Sequence, residues 1–151
     1  MVIAAAASWW QVQRVATDLW VGGNELRLVL TRQAAPEIRT RMATAIEVQI
    51  LSRIDRLPAI APTLWRTVGR ARLARGDAGR AETAFRTAYE LWPHEDAEFY
   101  LGMSLVAQGR RSEGLSHLGR VCRTNPALVR LIGDPELRRV VGDMLDAYRR
   151  Q

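Results

Sequence analysis

One pattern occurs twice in this chain, 33 residues apart, and it restricts the fold more than any other feature of the sequence. In 65–93 its marked places are Trp65, Val68, Gly69, Arg72, Ala81, Phe85 and Pro93; displaced by 33 they become Glu98, Leu101, Gly102, Leu105, Gly114, Leu118 and Pro126. Each kind of residue has a physical job. Val68 and Leu101 give bulk to the inward side of a first helix. Gly69 and Gly102 lack a side chain, so a second helix can come close. Ala81 and Gly114 do the same from the other side, and Phe85 and Leu118 fill the layer between. Gly76 and Gly109 lie midway, where a helix can end in the left-handed conformation glycine tolerates. Pro93 and Pro126 stop the second helix, because proline cannot donate the next backbone bond. The pattern therefore predicts two successive helical hairpins.

These residues resemble the tetratricopeptide repeat, written W-x2-L-G-x2-Y…A-x3-F…P. Arg72 stands where that pattern has an aromatic, and Glu98 stands at the Trp place with Phe99 beside it. The resemblance covers two repeats, at about 62–94 and 95–127, one residue shorter than the usual 34. It implies an all-α fold, a helical-hairpin solenoid of the tetratricopeptide type with N-terminal helices and a C-terminal capping helix. Three parts are expected: 1–61 as a degenerate repeat or cap, 62–127 as the repeats, and 128–151 as the cap. Two such hairpins alone would be marginal, since each buries its face only by stacking on neighbours.

Outside the repeats the residues speak for themselves. The apolar start, residues 1–10, is shorter than the ~20 residues a membrane span needs. Trp9, Val12, Ala16, Leu19 and Trp20 then share one helical face, which Gly22-Gly23 ends. That face serves either to pack on the next helices or, through Trp9, Trp10 and Trp20, to contact a membrane surface or a partner. Asn24 is a capping residue for a short helix after it. From 37 to 57, Ile38, Met42, Ile46, Ile50, Ile54 and Leu57 recur at helical spacing, with Val48 and Leu51 on the far side. This predicts one long helix sandwiched between neighbours. After Pro126, 127–132 reads as a short apolar helical turn. Asp134-Pro135-Glu136 is a strong helix start, and Leu137, Val140, Val141, Met144, Leu145 and Tyr148 line the face beyond it.

Charge bears on partners. The net charge is +6, and all 22 basic residues are arginine. A GC-rich coding sequence gives that composition, and the 16 acids are interspersed along the chain. The alternative of a basic helical-repeat protein binding RNA or another polyanion therefore ranks behind a protein partner. Cys122 has no second cysteine to pair with and falls on an apolar helix side, as a buried thiol. The compartment stays open.

Catalytic and metal signatures are not what the sequence offers. His94 and His117 lack ligand spacing with any cysteine or histidine. No nucleophile elbow or phosphate loop occurs, and the chain has no lysine for one. His94 is expected in an exposed loop, with Glu90, Glu95, Asp96 and Glu98 as a solvated acidic corner. The expectation is a non-catalytic protein–protein interaction module with no cofactor, no metal and no small-molecule substrate. In the family it resembles, the first helix of each hairpin lines a groove that holds peptides or helices. Carried onto this sequence, the row is Arg66, Arg70 and Leu73, then Phe99, Tyr100, Met103 and Val106. It implies a partner with acidic and bulky apolar groups. Arg66 and Arg70 resemble the basic pair of carboxylate-clamp members, without the asparagine those members carry. The layout of apolar start and hairpins is also similar to soluble tails of bacterial membrane assemblies, including glycan polymerases.

Overall fold

The computed structural model describes residues 35–150. The expected helices around Trp9–Trp20 and after Asn24 lie outside them. The described residues are helical throughout, with no strand among them: α1 (Pro36–Leu51), α2 (Ala61–Ala74), α3 (Ala78–Leu91), α4 (Glu95–Ala107), α5 (Arg111–Thr124) and α6 (Pro135–Arg149). Short 3-10 turns at Ile54–Arg56, Pro58–Ile60 and Pro126–Leu131 join them. Each helix packs on the next in chain order, so α2–α3 and α4–α5 are two successive hairpins.

The turns repeat atom for atom. Gly76 (φ 82°) and Gly109 (φ 81°) are the left-handed residues that end α2 and α4. After α2, the Asp77 N–H donates to the Arg72 carbonyl and the Gly76 N–H to that of Leu73. After α4, Arg110 donates to Leu105 and Gly109 to Val106 in the same way. Both are Schellman ends, which satisfy carbonyls the helix would leave orphaned. Trp92 and Asn125, each before a proline, are held near the extended region (φ −153° and −133°), and there α3 and α5 end.

The small residues sit where the helices cross. A Cβ on Gly69 would lie 2.6 Å from the Phe85 ring. One on Gly114 would lie 2.7 Å from the Gly102 carbonyl oxygen and 2.5 Å from Val106 Cγ2. Around these crossings the core forms successive layers. Ala43, Ile46 and Ile50 of α1 meet Leu64, Val68 and Ala71 of α2. Ala81 and Phe85 of α3 meet Leu101 and Leu105 of α4. Phe99, Leu118, Val121 and Cys122 meet Leu128, Ile132, Leu137, Val141 and Leu145.

Two departures concern α1. It ends at Leu51 rather than near 57, and Ser52 Oγ bonds back to the Gln49 carbonyl at 2.9 Å. The tighter turns after it bury Ile54 and set Leu57 and Ile60 against the same core. The helix is also not sandwiched: Val48 is 62 % and Ile38 51 % exposed. Among the described residues, one face alone is covered.

A clasp fixes α1 to the hairpin after it. Glu47, buried in α1, accepts from Arg72 Nε at 2.8 Å and from Arg75 Nη2 at 2.5 Å, both at the end of α2. Arg72 is the residue that departs from the aromatic of the repeat pattern, and this ion pair is what it does instead. The next seam is built the same way. Glu82 of α3 accepts from Gln108 Nε2 at 2.9 Å and Arg110 Nη1 at 2.8 Å, at the turn after α4. So α1 stands to α2 as α3 stands to α4. At the far end, Asp134 caps α6 by accepting from the Glu136 and Leu137 N–H groups at 2.8 and 3.1 Å. Leu137, Val141 and Leu145 are buried there, whereas Met144 and Tyr148 remain 40 % and 56 % exposed.

Candidate partner-binding face

The row expected from the sequence divides in two. Arg66 and Arg70 on α2 are part-exposed and point toward the first turn of α4. Arg66 Nη1 lies 3.7 Å and Arg70 Nη2 3.5 Å from Oδ2 of Asp96. Arg66 also donates to Thr63 Oγ1 at 3.0 Å and approaches His94 Nδ1 at 3.2 Å. His94 Nδ1 accepts the Asp96 N–H as well, which caps α4 and places the ring proton on Nε2. The Arg70 guanidinium lies 4.6 Å above the Tyr100 ring. Tyr100 in turn stacks on Phe85 at 5.4 Å and meets Phe99 edge-on at 5.2 Å. A cation and two aromatic rings therefore run in one column from the surface into the core.

Phe99 does not belong to the surface. It is 1 % exposed and packs with Leu118, Leu128, Ile132 and Leu137, so it is removed from the binding row. The reason lies in the stacking. Position 66 of the first hairpin faces the start of the second, and position 99 is its counterpart one repeat on. It therefore faces the Pro126–Leu131 turn and α6, which come after the second hairpin, and is covered by them. Met103 and Val106 are half-buried against the same layer, and Leu73 against the layer before. Of the seven residues, Arg66, Arg70 and Tyr100 make one cluster and Phe99 leaves it.

Two acids near this cluster differ from the expectation, and a third residue, Trp92, is one the sequence reading does not single out. Asp96 is not part of a solvated corner but sits between the two arginines. Glu98 is buried and accepts from Arg120, with His117 Nδ1 at 3.4 Å. Trp92 is 64 % exposed and, with Ala59, Pro62, Thr63, Arg66 and His94, lines an open pocket of about 170 Å³. The signal for Asp96 was its position in the first turn of α4, beside the predicted arginine row. The signal for Trp92 was its place before a helix-stopping proline, where its side chain has no helical face to join.

Two other described groups have shifts with local causes. Burial alone would raise the Glu82 pKa, but hydrogen bonds from Arg86, Gln108 and Arg110 outweigh it and hold the carboxyl below its usual range. Burial pushes the Cys122 thiol up to about 11, which disfavours the thiolate form. Among the described residues no group of three or more His, Cys, Asp or Glu is placed to hold a metal ion. No described helix is long and apolar enough to cross a membrane. Trp9, Trp10 and Trp20 lie outside the described residues. Comparison with protein-family models, curated proteins and solved structures returns no match.

Proposed function

We propose that the chain is a non-catalytic helical-repeat interaction module of the tetratricopeptide type, which holds a protein partner on the face made by α2 and the start of α4. The two hairpins and their matching glycine turns support the repeat type. The observation that carries the binding reading is the pair of arginines sharing one loosely held carboxylate. Asp96 lies 3.5–3.7 Å from both guanidiniums, beyond the 2.7–2.9 Å of a strong charge-assisted bond. Thr63, His94 and Tyr100 hold the arginines in place. An acidic side chain of a partner can take up donors that Asp96 leaves unfilled, while its apolar neighbour lies against Trp92 or Tyr100.

A polyanion reading finds less support, because many of the described arginines already face a carboxylate of the chain and do not line one open row. Arg66, Arg70, Arg72, Arg75, Arg86, Arg110, Arg111 and Arg120 each pair with a carboxylate. The test is affinity capture from membrane and soluble fractions, with binding measurements on the recovered partner. Arg66→Glu with Arg70→Glu is expected to weaken binding by about tenfold or more, the loss of one desolvated charge contact. Unchanged affinity would sink the assignment of this face. Recovery of RNA, bound with a steep dependence on salt, would sink the function.

A further inference from the structure

α5 and α6 lie side by side and run in the same direction, because the Pro126–Leu131 turn and the residues after it return the chain to the starting end. The starts of the two helices meet where Arg111 Nη2 lies 2.8 Å from Glu136 Oε1. Their middles meet where Met144 lies across Gly119, its Cε 2.8 Å from where a glycine Cβ would be. Their ends meet where the Arg123 guanidinium lies 4.9 Å from the centre of the Tyr148 ring. Between them runs an open groove of about 270 Å³, with Met144 and Tyr148 as its exposed apolar lining.

Arg123 is the uncommitted charge of this groove. Its neighbour Arg120 is taken by Glu98 and His117. Arg123 pairs with no carboxylate among the described residues; its one described contact of this kind is the ring. A guanidinium over a ring is held by the ring's negative face and keeps its N–H edge for a planar anion. On the other face of the molecule's repeats the same device, Arg70 over Tyr100, already has Asp96. Here the described residues supply no acid.

A matching acid stands at the end of α3. Glu90 is exposed and pairs with no described cation, and Arg86 one turn back is paired with Glu82. It lies in the last helical turn, where the dipole disfavours a negative charge and no basic residue is present to offset it. Leu91 and Trp92 follow, 53 % and 64 % exposed. Among the described residues they are the only large exposed apolar side chains adjacent in sequence. This corner is a carboxylate beside two bulky apolar groups, which is the complement of a cation beside a thioether and a ring.

We infer that the α5–α6 groove takes the Glu90-Leu91-Trp92 corner of a second copy of the chain. The Glu90 carboxylate meets Arg123, and the apolar pair covers Met144 and Tyr148. Charge selects this occupant, since each half of the contact carries the one ion the other is without. Corner and groove are different patches, so the association either closes reciprocally or extends head to tail.

The test is sedimentation equilibrium of the full chain from about 1 to 200 µM, the range in which weak association registers. The wild type is expected to self-associate. Glu90→Arg alone and Arg123→Glu alone each set like charges together, and each should weaken association by about tenfold or more. Both residues are exposed, so the circular dichroism spectrum should not change. An equimolar mixture of the two variants brings opposite charges together again at both kinds of cross-contact, and should associate to within about threefold of wild type. A chain that stays monomeric throughout overturns the inference. So does association indifferent to either reversal, which would place the contact elsewhere, as on the exposed Ile38 and Val48 of α1. A mixture no stronger than either variant alone overturns it too.

Discussion

Replacing Gly114 by alanine tests the close crossing of α4 and α5 directly. The new methyl would lie 2.5 Å from Val106 Cγ2, 2.7 Å from the Gly102 carbonyl oxygen and 3.0 Å from the Val106 nitrogen. Ordinary van der Waals contact begins near 3.4 Å. Val106 can turn its side chain, but the other two atoms are backbone, so relief requires the helices to part by several tenths of an ångström. Parting them loosens the layer around Leu118 and Phe99, which are 0 % and 1 % exposed. Overpacking of this kind costs about 1–3 kcal/mol, and alanine returns about 1 kcal/mol through its better helix propensity. With backbone in the way the upper half of the range applies, for a net loss of about 1–2 kcal/mol. In a chain of this size that lowers Tm by roughly 2–8 °C. The control is Gly79→Ala in the first turn of α3, where the nearest atom is Gln108 Oε1 at 3.9 Å. There nothing opposes the propensity, and stability should rise by up to about 1 kcal/mol. Urea unfolding followed by circular dichroism at 222 nm (a standard helix wavelength) reads both. Adding Val106→Ala to Gly114→Ala should rescue little, since the carbonyl contact stays. If the two alanines shifted stability in the same direction, the reasoning about the crossing would be refuted.

Glu82 has its pKa lowered in the fold, so its contribution to stability is complete above the unfolded carboxylate value. That contribution is lost as pH falls through the lower folded value. Glu82→Gln should flatten the decline of stability below about pH 5, a loss of slope measurable by urea titrations at successive pH values. Cys122, with a thiol pushed up to about 11, should be about a thousandfold short of thiolate at pH 8. Iodoacetamide should label it only in denaturant, and labelling of the native chain at the rate of a free thiol would contradict its burial.

Residues that act through backbone geometry were legible in the sequence. Gly76 and Gly109 at the turns, Pro93 and Pro126 after the second helices, and Asp134 at the start of α6 each impose a local conformation whatever surrounds them. The nesting residues Gly69, Gly102 and Gly114 were legible because their spacing repeats. What depended on the neighbour was not. Phe99 looked like a groove residue because its counterpart Arg66 is on the surface; the difference is the covering by α6, which periodicity within α4 does not register. Asp96 and Glu98 read alike as acids, yet one lies between two arginines and the other is buried with Arg120 and His117. The early end of α1 arose from the tertiary demand to bury Ile54, which the even apolar spacing of 37–57 concealed.

The clasps have a consequence for how this molecule could be cut. Glu47 and Glu82 each grip the turn of the hairpin that comes after them, so the adhesion between units lies in side chains and not in the connecting peptide. The stretch Trp92-Pro93-His94 is exposed and ends one helix before the next begins. A break there would leave fragments carrying matched halves of one seam, with Phe85 and Glu82 on the first and Leu101, Gln108 and Arg110 on the second. Such fragments could recognise each other when mixed, which makes the link a natural place to divide the chain into a complementing pair.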